Sequence, residues 1–462
     1  MFIRPAVWDD LPRIIEIYAA AREFMRSAGN PTQWGSTHPP RESVEEDIRR
    51  GVCRVAEDDG RVYAVFALIP GPDPTYSFID GAWLNDRPYA VMHRVATDGS
   101  RHGVMQEIIR YAGLFYDELR IDTHRDNIVM QRAVLHGGFQ YCGVIYLANG
   151  DPRLAYQRSR ETPRCLCFGS LNMDHMYRVP AFLTPGETLR SGSLTHVCGG
   201  KGLNQSIAAA SAGLNVTMAG NVGDNAEGER LCTALTARGV DASLVRRLPD
   251  TDCGHAIVQV ADNGENAILL FGGANERVDN EQIAAVMQGL HPGDLVVLQN
   301  EINALPEIMK AAHAHGAKIV FNPSPFNSRV TEDLIDSSDI LFVNEVEAAQ
   351  LVNNEAEGEA AGKLLHARWP HLLLVETLGG DGAVAWLDDE VCRQPIYPVK
   401  AVDTTGAGDT FTGFFLGAWA RGMSLSDCLD LAARASALCV SRMGTSSAIP
   451  SLAEAVHARF SK

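Results

Sequence analysis

Asp403-Thr404-Thr405-Gly406-Ala407-Gly408-Asp409-Thr410-Phe411-Thr412-Gly413 lies between an extended-looking run, Gln394 to Val402, and an apolar, proline-free segment, Phe411 to Ala420. That order predicts a strand-to-helix turn. Such a turn aims the backbone N–H groups of Ala407, Gly408 and Asp409 outward at a helix N-terminus, where unpaired donors and the helix dipole attract phosphate. Asp409 adds a carboxylate in the first turn, placed to take a proton from an incoming hydroxyl. The same residue would also stabilise its own helix start while the glycines merely turn the chain. The loop alone leaves both readings open.

Working outward, the chain has 462 residues, too many for one ordinary core, so two or three domains are expected. Hydrophobic residues at 46% and charged residues at 21% fit a globular protein in water. A net charge of −17 argues against a general nucleic-acid or anionic-membrane surface, while leaving room for a local basic pocket. The N-terminus carries acids where a signal peptide needs a basic end, and no apolar run is long enough to span a bilayer, so a cytoplasmic location is expected. The ten cysteines are scattered without a Cys-x-x-Cys pair, suggesting neither a zinc site nor a disulfide framework.

Residues 164–462 alternate strand and helix, with polar residues at strand C-termini: a doubly wound parallel α/β sheet with its ligand edge on one side. Asn172 and Asp174 follow the strand Cys165 to Phe168; they suit sugar hydroxyls, or form a polar turn capped by Asp174. Gly199-Gly200-Lys201-Gly202-Leu203-Asn204 is a second glycine loop entering a helix, without Walker spacing; Lys201 and Asn204 offer a donor and a bifunctional amide to a polyol. Short extended pieces within 176–197 and 255–271, the latter a hairpin about Asn263-Gly264, suit a small sheet standing off the main one.

These two glycine motifs, in this order, closely resemble the signatures of the ribokinase-like (phosphofructokinase B) sugar kinases, over essentially all of 164–460. Gly169 to Asp174, Thr184-Pro185-Gly186-Glu187, Gly273-Ala274-Asn275, Glu301 and Asn322-Pro323 resemble its ribokinase branch. The resemblance implies an ATP-dependent kinase with a sugar pocket of Asn172, Asp174, Gly200, Lys201, Asn204 and Glu301, and Asp409 as base. It implies ATP-side contacts from Asn344, Thr377, Gly379, Gly382, Ala407 and Gly408, with Glu347 organising Mg²⁺ indirectly. It further implies potassium at Asp403, Thr405 and Gly444, the last two through carbonyls, and a β lid that often pairs two subunits as a homodimer. The sugar stays open between ribose, another pentose, deoxyribose and a nucleoside.

Residues 1–155 read as an α+β domain, and 156–163 as a linker. A strand His93 to Thr97, a glycine-containing loop, a helix Met105 to Tyr116, a strand Leu119 to Thr123 and a helix opening at Asn127 resemble the GNAT acyltransferase fold. That likeness implies a coenzyme A site at Ser100, Gly103 and Asn127, with acetyl-CoA as cofactor. Val134 stands where many members carry a tyrosine, and a non-catalytic binding module is the alternative. His93, His102 and His124 are each candidate acids or bases, and the sequence singles out none.

Overall fold

The computed structural model describes residues 1–262 and 266–460. It divides into two compact units, Met1–Thr162 and Pro163–Lys462.

The first unit is an eight-stranded sheet, almost wholly antiparallel. Asp59 and Gly60, both at positive φ, turn the hairpin of Cys53–Asp58 and Arg61–Pro70, as expected for a two-residue connection. Leu11–Ser27 and Arg41–Arg49 bury Leu11, Ile14, Ile17, Tyr18, Val44 and Ile48 against the sheet's Val55, Val62 and Val65. Ala90–Thr97 and Glu118–Thr123 form the one parallel pair described; its register covers only Ala90–Val91 against Leu119–Arg120. The segment read as linker is partly strand: Pro152–Ser159 inserts between Glu118–Thr123 and Gln140–Tyr146. Its alternation is hidden in the sequence because Arg153 and Gln157 are polar yet buried.

The second unit is built on a nine-stranded sheet. Seven strands, from Asp241–Leu248 at one edge to Leu373–Thr377, run parallel, and Ala383–Leu387 and Glu390–Gln394 add an antiparallel edge. Strands such as Leu295–Gln299, buried along their whole length, need helices on both faces, which the βα alternation supplies. A separate four-stranded sheet, ordered Ser193–Gly199, Asn172–Val179, Gly254–Ala261, Asn266–Phe271, is the small sheet expected from sequence. The Asn263-Gly264 turn predicted for its hairpin lies outside the described residues.

One expectation is corrected at the anion loop. Glu390–Gln394 is strand, but 395–402 is irregular, so the helix Ala407–Trp419 follows coil, not strand. Pro395 and Pro398 break the ladder there, and the chain is tied down instead by the Val402 amide donating to the Val440 carbonyl at 2.8 Å. The helix packs unusually close to Lys201–Ser211: a Cβ at Gly413 would lie 2.4 Å from the Ala208 Cβ, and one at Gly417 2.5 Å from the Ala212 Cβ. These two glycines let the first turns of both helices meet, which is what builds the site.

Candidate functional site

Where the two helices meet, Asp409 is buried, 7% exposed. Its Oδ2 accepts from Asn204 Nδ2 at 3.0 Å and its Oδ1 from Gln205 Nε2 at 2.9 Å. Gln205 is held in turn by Gln299 Nε2, which donates to its Oε1 at 2.7 Å. The carboxylate is therefore fixed by two amide donors from the facing helix rather than serving only as a cap. Asn204 Oδ1 is buried and has no hydrogen-bond partner among the described residues. A buried acceptor left empty beside a carboxylate costs on the order of 1–3 kcal/mol, and a ligand hydroxyl would recover it.

The neighbouring groups are likewise preset. Asn172 Oδ1 accepts from Asn275 Nδ2 at 2.7 Å, and Asn275 Oδ1 accepts the Leu171 amide at 3.0 Å. Only glycine fits opposite them: a Cβ at Gly254 would stand 2.1 Å from Asn275 Nδ2 and 2.3 Å from Asn172 Oδ1. Gly200, at φ 92°, brings its backbone against Asn172 N, and a Cβ at Gly199 would collide with Asp174. Glu301 accepts from the Lys201 amide at 3.1 Å and from the Ser170 hydroxyl.

Electrostatics follow from this crowding. Burial, reinforced by the charge of Glu301, pushes the Asp174 carboxyl up to about 7. Burial also raises Glu301, opposed by Lys201. For Lys201 burial disfavours the charge, but Asp409, Glu301 and Glu347 outweigh it and its pKa rises. The centre is a cation held among carboxylates.

Beyond the Asp409 side, a cavity of about 370 Å³ is lined by Lys201, Asn344, Glu347, Thr377, Gly408 and Asp409, among others. Asn344 caps its helix reciprocally with Glu347: Asn344 Oδ1 accepts the Glu347 amide at 2.8 Å, and Glu347 Oε2 the Asn344 amide at 3.1 Å. Next to it lies a more apolar cavity of about 500 Å³, walled by Gly379, Gly382, Val399, Ala407, Gly408 and Val440. A polar cleft at a helix N-terminus continuing into an apolar slot has the chemistry of a nucleotide site: phosphates first, base beyond. Asp403 bridges the remaining two residues, its Oδ1 accepting the Thr405 amide at 3.0 Å and its Oδ2 the Gly444 amide at 3.1 Å.

Of the residues expected in the second unit, Lys201, Asn344, Glu347, Thr377, Gly379, Ala407, Gly408 and Asp409 line one cavity and Gly382 its apolar neighbour, Asn172 and Asp174 lie on a strand of the four-stranded sheet, and Thr405 and Gly444 are joined by hydrogen bonds to Asp403. Gln205, Gln299, Asn275, Ser170 and Gly254 were missed as site residues. A signal existed for Gln205: Asn204-Gln205 is a polar pair opening an alanine-rich helix. In the first unit, Gly103 opens the helix Val104–Phe115 at φ 74°. Ser100 is spent on Asp98 Oδ1, and Asn127 caps its own helix through Met130 N at 3.1 Å while donating to Gln33 at 2.9 Å. Ser100 and Asn127 are therefore loop and cap residues in this structure.

A nine-stranded, helix-covered sheet with a buried carboxylate at a glycine-rich helix start and a small lid sheet defines a carbohydrate kinase, and the chain belongs to the pfkB family of carbohydrate kinases, whose model matches residues 162–452. Among its relatives, the ribokinase of Schizosaccharomyces pombe is 36% identical over 302 residues, covering 62% of this chain and 94% of the relative. The deoxyribokinase of Salmonella typhi is 30% identical over 273 residues, covering 58% of this chain and 89% of the relative. The solved structure of Arabidopsis thaliana ribokinase complexed with ribose and ATP is similar at a TM-score of 0.58 and 28% identity, covering 64% of this chain and 98% of that one. Among the described residues no helix is long and apolar enough to cross a membrane.

Proposed function

We propose that the second unit is a ribokinase, transferring the γ-phosphoryl group of Mg-ATP to the primary hydroxyl of D-ribose. The observation that carries this is the pair formed by the Asp409 carboxylate and the unpartnered Asn204 Oδ1, inside a ring of Asn172, Asp174, Lys201 and Glu301. In this reading the sugar oxygen attacks γ-phosphorus in line, its proton goes to Asp409, and the bond to the β-phosphate bridging oxygen breaks. The Ala407 and Gly408 amides and Lys201 take up charge on the transferring group. Glu347 lines the phosphate cavity and would help to hold Mg²⁺, which would supply charge neutralisation to the phosphates. Asp403, Thr405 and Gly444 would hold potassium: one carboxylate already draws both segments together. The exposed apolar side chains Ile268, Leu269, Leu270 and Phe271 on the lid's edge strand favour a homodimer formed lid to lid.

The test is the initial rate of ADP formation with Mg-ATP on ribose, 2-deoxyribose, fructose and pseudouridine, with and without potassium. Ribose preferred by tenfold or more in kcat/KM is the expected result. Preference for 2-deoxyribose or pseudouridine would replace the substrate while keeping Asp409, and no turnover on any would overturn the reading.

For the first unit, we infer a GNAT-like acyltransferase fold binding acetyl-CoA at the loop before Gly103. The supporting observation is Gly103, which opens the helix Val104–Phe115 at φ 74° and leaves a helix N-terminus behind the loop. Titrating the full chain with coenzyme A checks it; absence of binding leaves a module of another kind.

A further inference from the structure

The first unit contains a cavity of about 860 Å³ where Ala90–Thr97 and Glu118–Thr123 part, closed by the 32–38 loop and the start of Pro152–Ser159. Most charges on its wall are already paired. Arg94 meets Asp47 through two hydrogen bonds of 2.8 and 2.7 Å, and His93 Nε2 lies 2.9 Å from Asp73 Oδ2. Asp122 Oδ1 accepts from Tyr76 Oη at 2.8 Å.

Among the wall charges in no described ion pair, Arg50 and Glu42 are exposed and Arg153 is the buried cation. It lines the cavity and is only 7% exposed, yet its one described side-chain hydrogen bond goes to the neighbouring Pro152 carbonyl at 3.0 Å, and it is in no ion pair among the described residues. A buried guanidinium without an anion is costly, and its planar fork is matched by a carboxylate. Its field is felt locally: burial first, then Arg94 and Arg153, hold His38 below the ordinary histidine range. The same wall carries Glu42, Glu46, Asp122 and Asp151 against Arg50 and the already paired Arg94, an excess of acid that would repel a dianionic phosphate and attract an ammonium. The two requirements meet in a zwitterion.

We propose that this cavity binds a free amino acid, its carboxylate paired with Arg153 and its ammonium facing the acidic wall about Asp122. The site is separate from the kinase centre, and it stands on the cavity and Arg153 without needing acyl transfer. Were the unit an acyltransferase, the amino group held here would be the acceptor.

The experiment is isothermal titration of the full chain, without coenzyme A or nucleotide, against the twenty proteinogenic amino acids, then against the carboxamide and the decarboxylated amine of any that bind. At least one free acid is expected to bind with Kd near or below about 1 mM. Its amide and amine should bind tenfold or more weakly, and Arg153→Met should abolish binding while Arg153→Lys retains part of it. The wild-type comparison of acid with amide does not depend on either variant folding. Binding of none of the twenty, equal binding of acid and amide, or full binding by a folded Arg153→Met overturns the proposal. Coenzyme A is titrated separately, so loss of the acyltransferase reading and loss of this one give different results.

Discussion

Asp174→Asn should make the kinase unit more stable and less able to hold sugar. In the folded chain burial and Glu301 raise the Asp174 carboxyl from 3.8 to about 7. The folded chain then holds this proton more tightly than the unfolded one, so stability falls as pH climbs from about 4 to about 7 and stays level above. Three pKa units correspond to about 4 kcal/mol at neutral pH and above. Asp174 is only partly buried, so water recovers some of that penalty, and about 2 kcal/mol is expected to remain. Asparagine keeps the shape and removes the charge. Thermal unfolding at pH 8, following the transition that ADP displaces, should show Tm higher by about 3 °C in the variant. The gap should nearly close only below the unfolded pKa, at about pH 3. Ribose KM should rise about 10- to 100-fold through loss of a charged acceptor. A Tm at pH 8 equal to or below the parent's would refute the electrostatic account, and an unchanged KM would remove Asp174 from the pocket.

Asp409→Asn should lower kcat by about 10²- to 10⁴-fold while sugar KM stays within about threefold, measured by coupled ADP release; a kcat within tenfold of the parent would mean another group accepts the proton. Gly254→Ala drives a methyl into Asn275 and Asn172, so sugar KM should rise at least about tenfold with ATP KM unchanged. Glu347→Gln keeps the helix cap but loses the charge, so the magnesium concentration for half-maximal rate should rise several-fold; an unchanged value would assign Glu347 to capping alone. Leu269→Glu on the lid edge should shift the mass measured by light scattering from dimer to monomer, and a parent that is already monomeric would end the lid-to-lid reading.

Much of the second unit was legible because its signals are local. Glycine loops announce helix starts, and continuous apolar runs such as Leu295 to Leu298 announce buried parallel strands. What stayed hidden depends on partners distant in sequence. Nothing near Gln299 says that its amide steadies Gln205, and nothing near Gly254 says that two asparagines leave no room for a methyl. In the first unit Pro152–Ser159 was taken partly for linker because buried Arg153 and Gln157 erase the apolar alternation a strand would show. Gln157 is satisfied inside by Glu118 Oε2, to which its Nε2 donates at 2.7 Å, whereas the one described side-chain bond of Arg153 goes to the Pro152 carbonyl. The GNAT-like markers Ser100 and Asn127 looked ligand-facing in sequence, but turn and cap bonds occupy them.

The chain of amides behind Asp409 starts at a position that touches neither carboxylate nor sugar. A Cβ at Gly169 would stand 2.0 Å from Gln299 Oε1, and Gln299 orients Gln205, which orients Asp409. The opening strand of the unit and one of its last helices therefore cannot drift independently. A side chain at 169 would push on Gln299 and also on the Gly202 backbone, whose Cα its Cβ would approach to 2.9 Å. A position remote from the carboxylate thus bears on how firmly that carboxylate is held, through Gln299 and Gln205.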